Sequence, residues 1–307
     1  MKLNWSGVYF FVFVALVLLN FGCGASSSKK SYPEVPTYKV SPPPLPEKLD
    51  FAGEPVPLQY FDVRQSLDRE VLKIMYWHSE TILYLKRMPE FFPIVEPILA
   101  KYNIPDDFKY LMVAESGMAN VVSPSGAAGY WQFMEKIAKK YGLIVNDQVD
   151  QRYDIYASTE AAAKYLRDAY KHYKNWTLAA ASYNVGQTNL DRAIRKQGET
   201  SFYNLALNVQ TARYIYRILA FKLILSNPEK YGFYVRDRDK YYPIRTKVIK
   251  VDTSVPSWID FAHRYKTNYK ILLLLNPWIR DSKLDNDKGY TFYVRVPASP
   301  KDRIVKQ

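Results

Sequence analysis

The sequence predicts a mainly α-helical domain followed by a small α+β module of βααβ order. Two observations carry that prediction. Between about residues 60 and 230, apolar residues recur at three- and four-residue spacing, the period of helices with one buried face. After Asp239 the pattern changes: residues 247–251 and 290–296 alternate like half-buried strands, around two short helical stretches at 257–265 and 269–275. A chain of 307 residues has room for one substantial domain and a smaller one.

The N-terminus precedes any core. Lys2 is followed by an apolar run from Val8 to Leu19 and then by small residues around Gly22. That run is shorter than a dependable membrane span and predicts a secretory signal over residues 1–22. Cys23 is the one cysteine, so no intramolecular disulfide can form. Residues 23–58 are rich in Ser, Lys and Pro, and are expected to run extended as a tether unable to bury a core. A formal net charge of +13 would suit an anionic partner. The cations are scattered rather than clustered, which argues against nucleic acid.

In the helical region, Leu67, Val71, Met75, His78, Ile82 and Leu85 fall on one stripe, with His78 at its edge. His172 and His263 are isolated, and no spacing suits a metal, so no metal or cofactor is expected. Pro105, Asp106 and Asp107 suit the first turn of a helix, where a missing donor costs nothing and negative charge meets the positive dipole end. Phe108, Leu111, Met112 and Glu115 follow on one face, with Lys109 and Tyr110 assigned to the outer face. A carboxyl held against apolar side chains has its pKa raised, as a general acid near neutral pH requires. Position alone is equally compatible with a buried Glu paired to a cation.

A loop rich in Gly and Ser follows, from Ser123 through Gly126 and Gly129 to Gln132. Its small residues permit close approach of a ligand. Tyr130, Trp131 and Phe133 beside the Gln132 amide are the surfaces a sugar cleft requires, or else core. Asp150 and Asp154 flank Arg152, a setting for a structural ion pair. Ala162, Tyr165, Leu166, Ala169 and Tyr173 form a further stripe, with Ser158 or Thr159 as the expected cap. Asn175 to Gly186 reads as a short helix that leaves the Tyr183 hydroxyl and the Asn184 amide at its end. Residues 212–225 are a last helix.

Glu115-Ser116, the Ser123…Gly126-Ala127…Gly129…Gln132 run and Ser182-Tyr183-Asn184-Val185-Gly186 occur in that order. Together they resemble the motifs of the lysozyme-like lytic transglycosylases, in particular the membrane-bound lytic murein transglycosylase D family. Residues 149–154 and 158–162, then Thr211 and Tyr214, resemble further motifs of that family. Gln210 stands where the family usually has Glu, and Ser182 where Ala is commoner.

The resemblance covers about residues 85 to 225 and implies a lysozyme-like all-α catalytic domain over 59–235. It implies cleavage of the MurNAc–GlcNAc β-1,4 bond of peptidoglycan with a 1,6-anhydro product and Glu115 as the single acid/base. Ser123, Gln132, Tyr183, Asn184 and Tyr214 would bind substrate or orient the acid, with the Tyr183 hydroxyl expected to orient Glu115. The alternatives are a lysozyme-type hydrolase and a catalytically idle wall-binding lipoprotein. Residues 245–300, with Leu275-Asn276-Pro277-Trp278 and a closing Val296-Pro297, resemble a divergent LysM-like glycan-binding module. The place of Cys23 after Gly22 resembles a bacterial lipoprotein site. A lipid anchor there would put the protein in the cell envelope, as an outer-membrane lipoprotein facing the periplasm with peptidoglycan strands as partner.

Overall fold

The computed structural model describes residues 40–304, and from Pro42 onward they belong to one compact unit. The expected signal segment and Cys23 lie outside the described residues. Among the described residues, no helix is long and apolar enough to cross a membrane.

The last part of the expected tether, residues 49–58, is folded. Residues 50–55 make a two-stranded hairpin, β1 (Asp50–Phe51) and β2 (Glu54–Pro55), and Phe51, Val56 and Leu58 are core residues. Composition concealed this because three apolar side chains among many prolines suffice when the remaining core is supplied from elsewhere. Phe51 packs on Phe108, ring centroids 5.2 Å apart.

The helices are α1 (Phe61–Tyr76), α2 (His78–Lys101), α3 (Phe108–Ser116), α4 (Glu135–Lys140), α5 (Ile155–Tyr173), α6 (Trp176–Val185), α7 (Gln187–Gln197) and α8 (Val209–Ser226). The stripe read from Leu67 to Leu85 is two helices, because Trp77 breaks the run with a non-helical ψ of 61°. His78 and Ile82 are exposed beyond that break. Helix α2 carries Pro89, Pro93 and Pro97 at four-residue spacing. Pro93 and Pro97 face solvent, so carbonyls left without a helical donor on that side can be hydrated.

Helix α8 is the axle. It packs against α1, α3 and α6, and buries side chains from Thr211 to Leu225 around its circumference. Glu70 of α1, 2% exposed, receives Arg213 of α8 at 2.7 Å, so the α1–α8 seam is also an ion pair. Ala161–Ala163 of α5 and Ala179–Ala181 of α6 are buried, and their small size lets those two helices pack closely. Asp154, rather than Ser158 or Thr159, caps α5. It accepts from the Tyr156 amide at 2.9 Å, while the two hydroxyls bond back to the carbonyls of Asp154 and Ile155.

The C-terminal module follows the expected order: β3 (Thr246–Val251), α9 (Trp258–Arg264), α10 (Tyr269–Leu275) and β4 (Phe292–Pro297). The strands pair antiparallel, Val251 opposite Phe292. Asn276, fully buried, ends α10 and staples it to β4: its amide nitrogen donates to the Arg295 carbonyl at 2.7 Å and its oxygen accepts from the Arg295 amide at 2.7 Å. The module is not an appendage on a free linker, since Val149 from the helical domain lies in its core beside Trp258, Trp278 and Ile279.

Candidate active site

Helix α3 delivers Glu115 in its last turn. Phe108, Leu111 and Met112 are fully buried as the stripe requires, but Tyr110 is buried too, edge-on to Phe92, and not on an outer face. Asp107 does more than start the helix: its carboxylate accepts from the Ala52 amide at 2.6 Å and from Lys222 at 2.8 Å, binding the N-terminal hairpin and α8 to α3. Gly117 closes α3 in the left-handed region, φ 60°, with the Tyr84 ring packed where a side chain would stand. The Arg87 guanidinium caps the Gly117 carbonyl at 2.9 Å.

The Glu115 carboxyl is partly exposed yet hemmed in by protein. Burial pushes its pKa up to about 7, against a hydrogen bond from Tyr214 and the charge of Arg217, which both pull it down. The Tyr214 phenol is itself pushed well above its ordinary value by burial and by the facing carboxyl. It therefore keeps its proton and donates to Glu115 Oε1. Among the described residues, no carboxylate shifts the Glu115 pKa.

The loop after α3 wraps this carboxyl's helix. Ser116 Oγ donates to the Tyr130 carbonyl at 2.7 Å, and Tyr183 Oη donates to the Trp131 carbonyl at 2.7 Å. The Tyr183 hydroxyl is thus committed to the loop, and the orienting bond to Glu115 comes from Tyr214 instead. Burial and the nearby Glu115 raise the Tyr183 phenol far above its usual range, so it too is a neutral donor. Tyr130, Trp131 and Phe133 are buried and not sugar-facing walls. Trp131 donates through Nε1 to Thr159 at 2.9 Å, and Tyr130 packs on Phe91.

Gln132 has a positive φ of 51° and donates through Nε2 to the Val121 and Gly129 carbonyls at 2.9 and 2.8 Å. Its amide braces the loop. Ser123 Oγ accepts from the Ala127 amide at 3.0 Å and lies 3.0 Å from Ser125 Oγ, closing the loop's outer turn. At Gly129 a Cβ would stand 1.8 Å from the Arg152 carbonyl, so two backbones cross there with no space for a side chain. Arg152 pairs with Asp150 at 2.7 Å, as expected of a structural ion pair.

Asn184 leaves α6 with its oxygen accepting from Thr211 Oγ1 at 3.1 Å. Its amide nitrogen makes no hydrogen bond within the described residues and stays available as a donor. Helix α6 is held by Glu54 of the N-terminal hairpin, whose carboxylate accepts from the Thr177 amide at 2.9 Å and the Thr177 hydroxyl at 2.7 Å. No sequence signal marked Glu54, because it lies 123 residues from its partner within a segment read as tether. Gln210 is exposed, and Ser182 is fully buried with its hydroxyl on the Ala179 carbonyl. Among the described residues, no group of His, Cys, Asp and Glu could hold a metal ion.

The sequence around these residues matches known families. Residues 94–206 match the family described as "Transglycosylase SLT domain", and residues 247–300 match "Soluble lytic transglycosylase C-terminal LysM-like domain". The chain is 29% identical over 248 residues, 79% of its length, to "Membrane-bound lytic murein transglycosylase D" of Escherichia coli (strain K12). The protein of that name in Escherichia coli O6:H1 matches with the same identity and coverage. The chain spans about half the length of these relatives, 53% in each case. It therefore carries a transglycosylase SLT domain of lysozyme-like, all-helical build, joined to a LysM-like C-terminal domain.

Proposed function

We propose that the protein is a peptidoglycan lytic transglycosylase with Glu115 as its single catalytic acid and base. The observation that carries the proposal is a carboxyl with pKa about 7, held by a neutral tyrosine and with no carboxylate of the described residues shifting it. Glycoside hydrolysis ordinarily uses two carboxylates, one as acid and one as nucleophile or base. One is enough when the nucleophile belongs to the substrate. Near neutral pH a substantial fraction of Glu115 is protonated and can donate to the glycosidic oxygen as the β-1,4 bond from MurNAc to GlcNAc breaks. The carboxylate left behind, stabilised by the Tyr214 hydrogen bond, takes the proton of the MurNAc 6-hydroxyl as that oxygen closes on C1. The acid is regenerated and no water is consumed.

The Asn184 amide donors and the small-residue loop around Gly126 suit a hydroxyl-rich substrate, and scattered positive charge suits an anionic wall. The matches to an SLT domain and to proteins named murein transglycosylases support the same reading. Digestion of purified sacculi followed by mass spectrometry tests it. Products ending in 1,6-anhydro-MurNAc are expected; products 18 Da heavier per cut, with reducing ends, would make the protein a lysozyme-type hydrolase; and no cleavage would leave a wall-binding lipoprotein. The Cys23 context and the membrane-bound relatives support a lipid-anchored place in the cell envelope, and Cys23→Ala is expected to move the protein from the membrane fraction to the soluble one.

A further inference from the structure

We propose that the C-terminal module is a positioning element of the active site, holding the loop 123–133 against the helix of Glu115 through the Asp150–Arg152 pair. This rests on the catalytic reading above and departs from a module that merely adds affinity for the wall. The link begins in the module's core. Val149, 1% exposed, sits among its apolar side chains and bridges Ile279 in the backbone. The Asp150 amide donates to the Trp278 carbonyl at 2.9 Å, and the Arg280 amide donates to the Gln148 carbonyl at 2.9 Å. Gln148 and Asp285 exchange hydrogen bonds both ways at 2.8 and 2.9 Å. The segment from Gln148 to Asp150 is thus pinned to the module before it reaches the helical domain.

Asp150, 6% exposed, spends its carboxylate on Arg152: Nε at 3.0 Å, Nη2 at 2.7 Å and the Arg152 amide at 3.0 Å. The guanidinium so fixed donates through Nη1 to the carbonyls of Gly126 at 3.1 Å and Phe133 at 3.3 Å, the two ends of the loop's 126–133 part. Between those ends, Gly129 lies against the Arg152 backbone. From the loop's other face, the Tyr130 and Trp131 carbonyls are held by Ser116, next to Glu115, and by Tyr183. One planar guanidinium bridging two carbonyls sets the loop's width, and a bidentate carboxylate fixes the guanidinium's plane. The module fixes the carboxylate's backbone. Arg295 adds a second tie, lying 3.3 Å over the ring of Tyr156.

The test uses full-length protein carrying Val149→Ala, Arg152→Lys, or both. Hydrogen exchange is followed at the amides of residues 126–133 and, as reference, of α8, alongside turnover of a short soluble glycan fragment that fills only the cleft. Each single variant is expected to speed exchange in the loop about tenfold while α8 keeps its protection. Each should lower kcat on the fragment by on the order of tenfold or more, with KM changed less, because a small misplacement of groups around the acid is costly. The double variant should lose less than the two single losses combined, since both changes break one path. Loop exchange unchanged in Val149→Ala, exchange rising equally in α8, or a loosened loop with unchanged kcat would each overturn the proposal. If the unmodified protein cleaves no glycan, the catalytic reading fails by itself, and the exchange arm still decides whether the module holds the loop.

Discussion

Replacing Tyr214 by Phe removes one hydroxyl and should shift the acidity of Glu115 in a direction the structure dictates. The phenol donates to the carboxyl, so it favours the charged form and holds the pKa down against the burial that raises it to about 7. A hydrogen bond to a charged group contributes about 1.5–3 kcal/mol. At 1.36 kcal/mol per pKa unit, its loss should raise the Glu115 pKa by about 1–2 units, to about 8–9. The assay is the pH dependence of kcat/KM on a soluble glycan fragment, whose alkaline limb reports the acid of the free enzyme. For the unmodified protein that limb should fall above about pH 7. In Tyr214→Phe it should move to higher pH by the amount above. The plateau should drop, because a weaker, unanchored acid donates less readily. A plateau that drops with the limb unmoved would show that Tyr214 acts by packing alone, and a limb moving to lower pH would refute the electrostatic account of the site.

Glu115→Gln keeps the shape and removes the transferable proton, so turnover should fall by on the order of 10²–10⁴-fold or more, read by muropeptide release. The same variant should gain stability with a particular pH dependence. The folded pKa lies above the unfolded value of about 4.3, so the folded state binds the proton more tightly, and the native protein loses stability as pH rises from there through about 7. The gain in melting temperature of Glu115→Gln should therefore be absent near pH 4 and grow towards pH 8, where it corresponds to at most about 4 kcal/mol. Gly129→Ala places a Cβ 1.8 Å from the Arg152 carbonyl at a φ of 81°, so it should displace the loop and reduce turnover well before it lowers the melting temperature of the helical core. Phe51→Ala should cost about 3–5 kcal/mol in urea unfolding, a loss that a solvated tether could not show.

The sequence by itself determined the helical class, the βααβ module and the helical face on which Glu115 stands. Each is written in local patterns: the period of apolar residues around Leu111 and Leu219, the alternation near Val248 and Val294, and an acid placed on an apolar helical face. The end of α10 at Asn276 was likewise legible, because a helix stop acts within a few residues. Tertiary structure decided what depends on distant partners. Phe51 and Glu54 belong to the fold only because Phe108 and Thr177 stand opposite them, 57 and 123 residues on. Tyr183 and Tyr214 are alike in sequence as buried phenols near an acid. Which of them reaches Glu115 follows from how α6 and α8 cross, and the loop carbonyl of Trp131 claims Tyr183 first. Tyr130, Trp131 and Phe133 face inward for the same reason: a loop has no period, so the side its residues turn to the core is set by the helices it is laid upon.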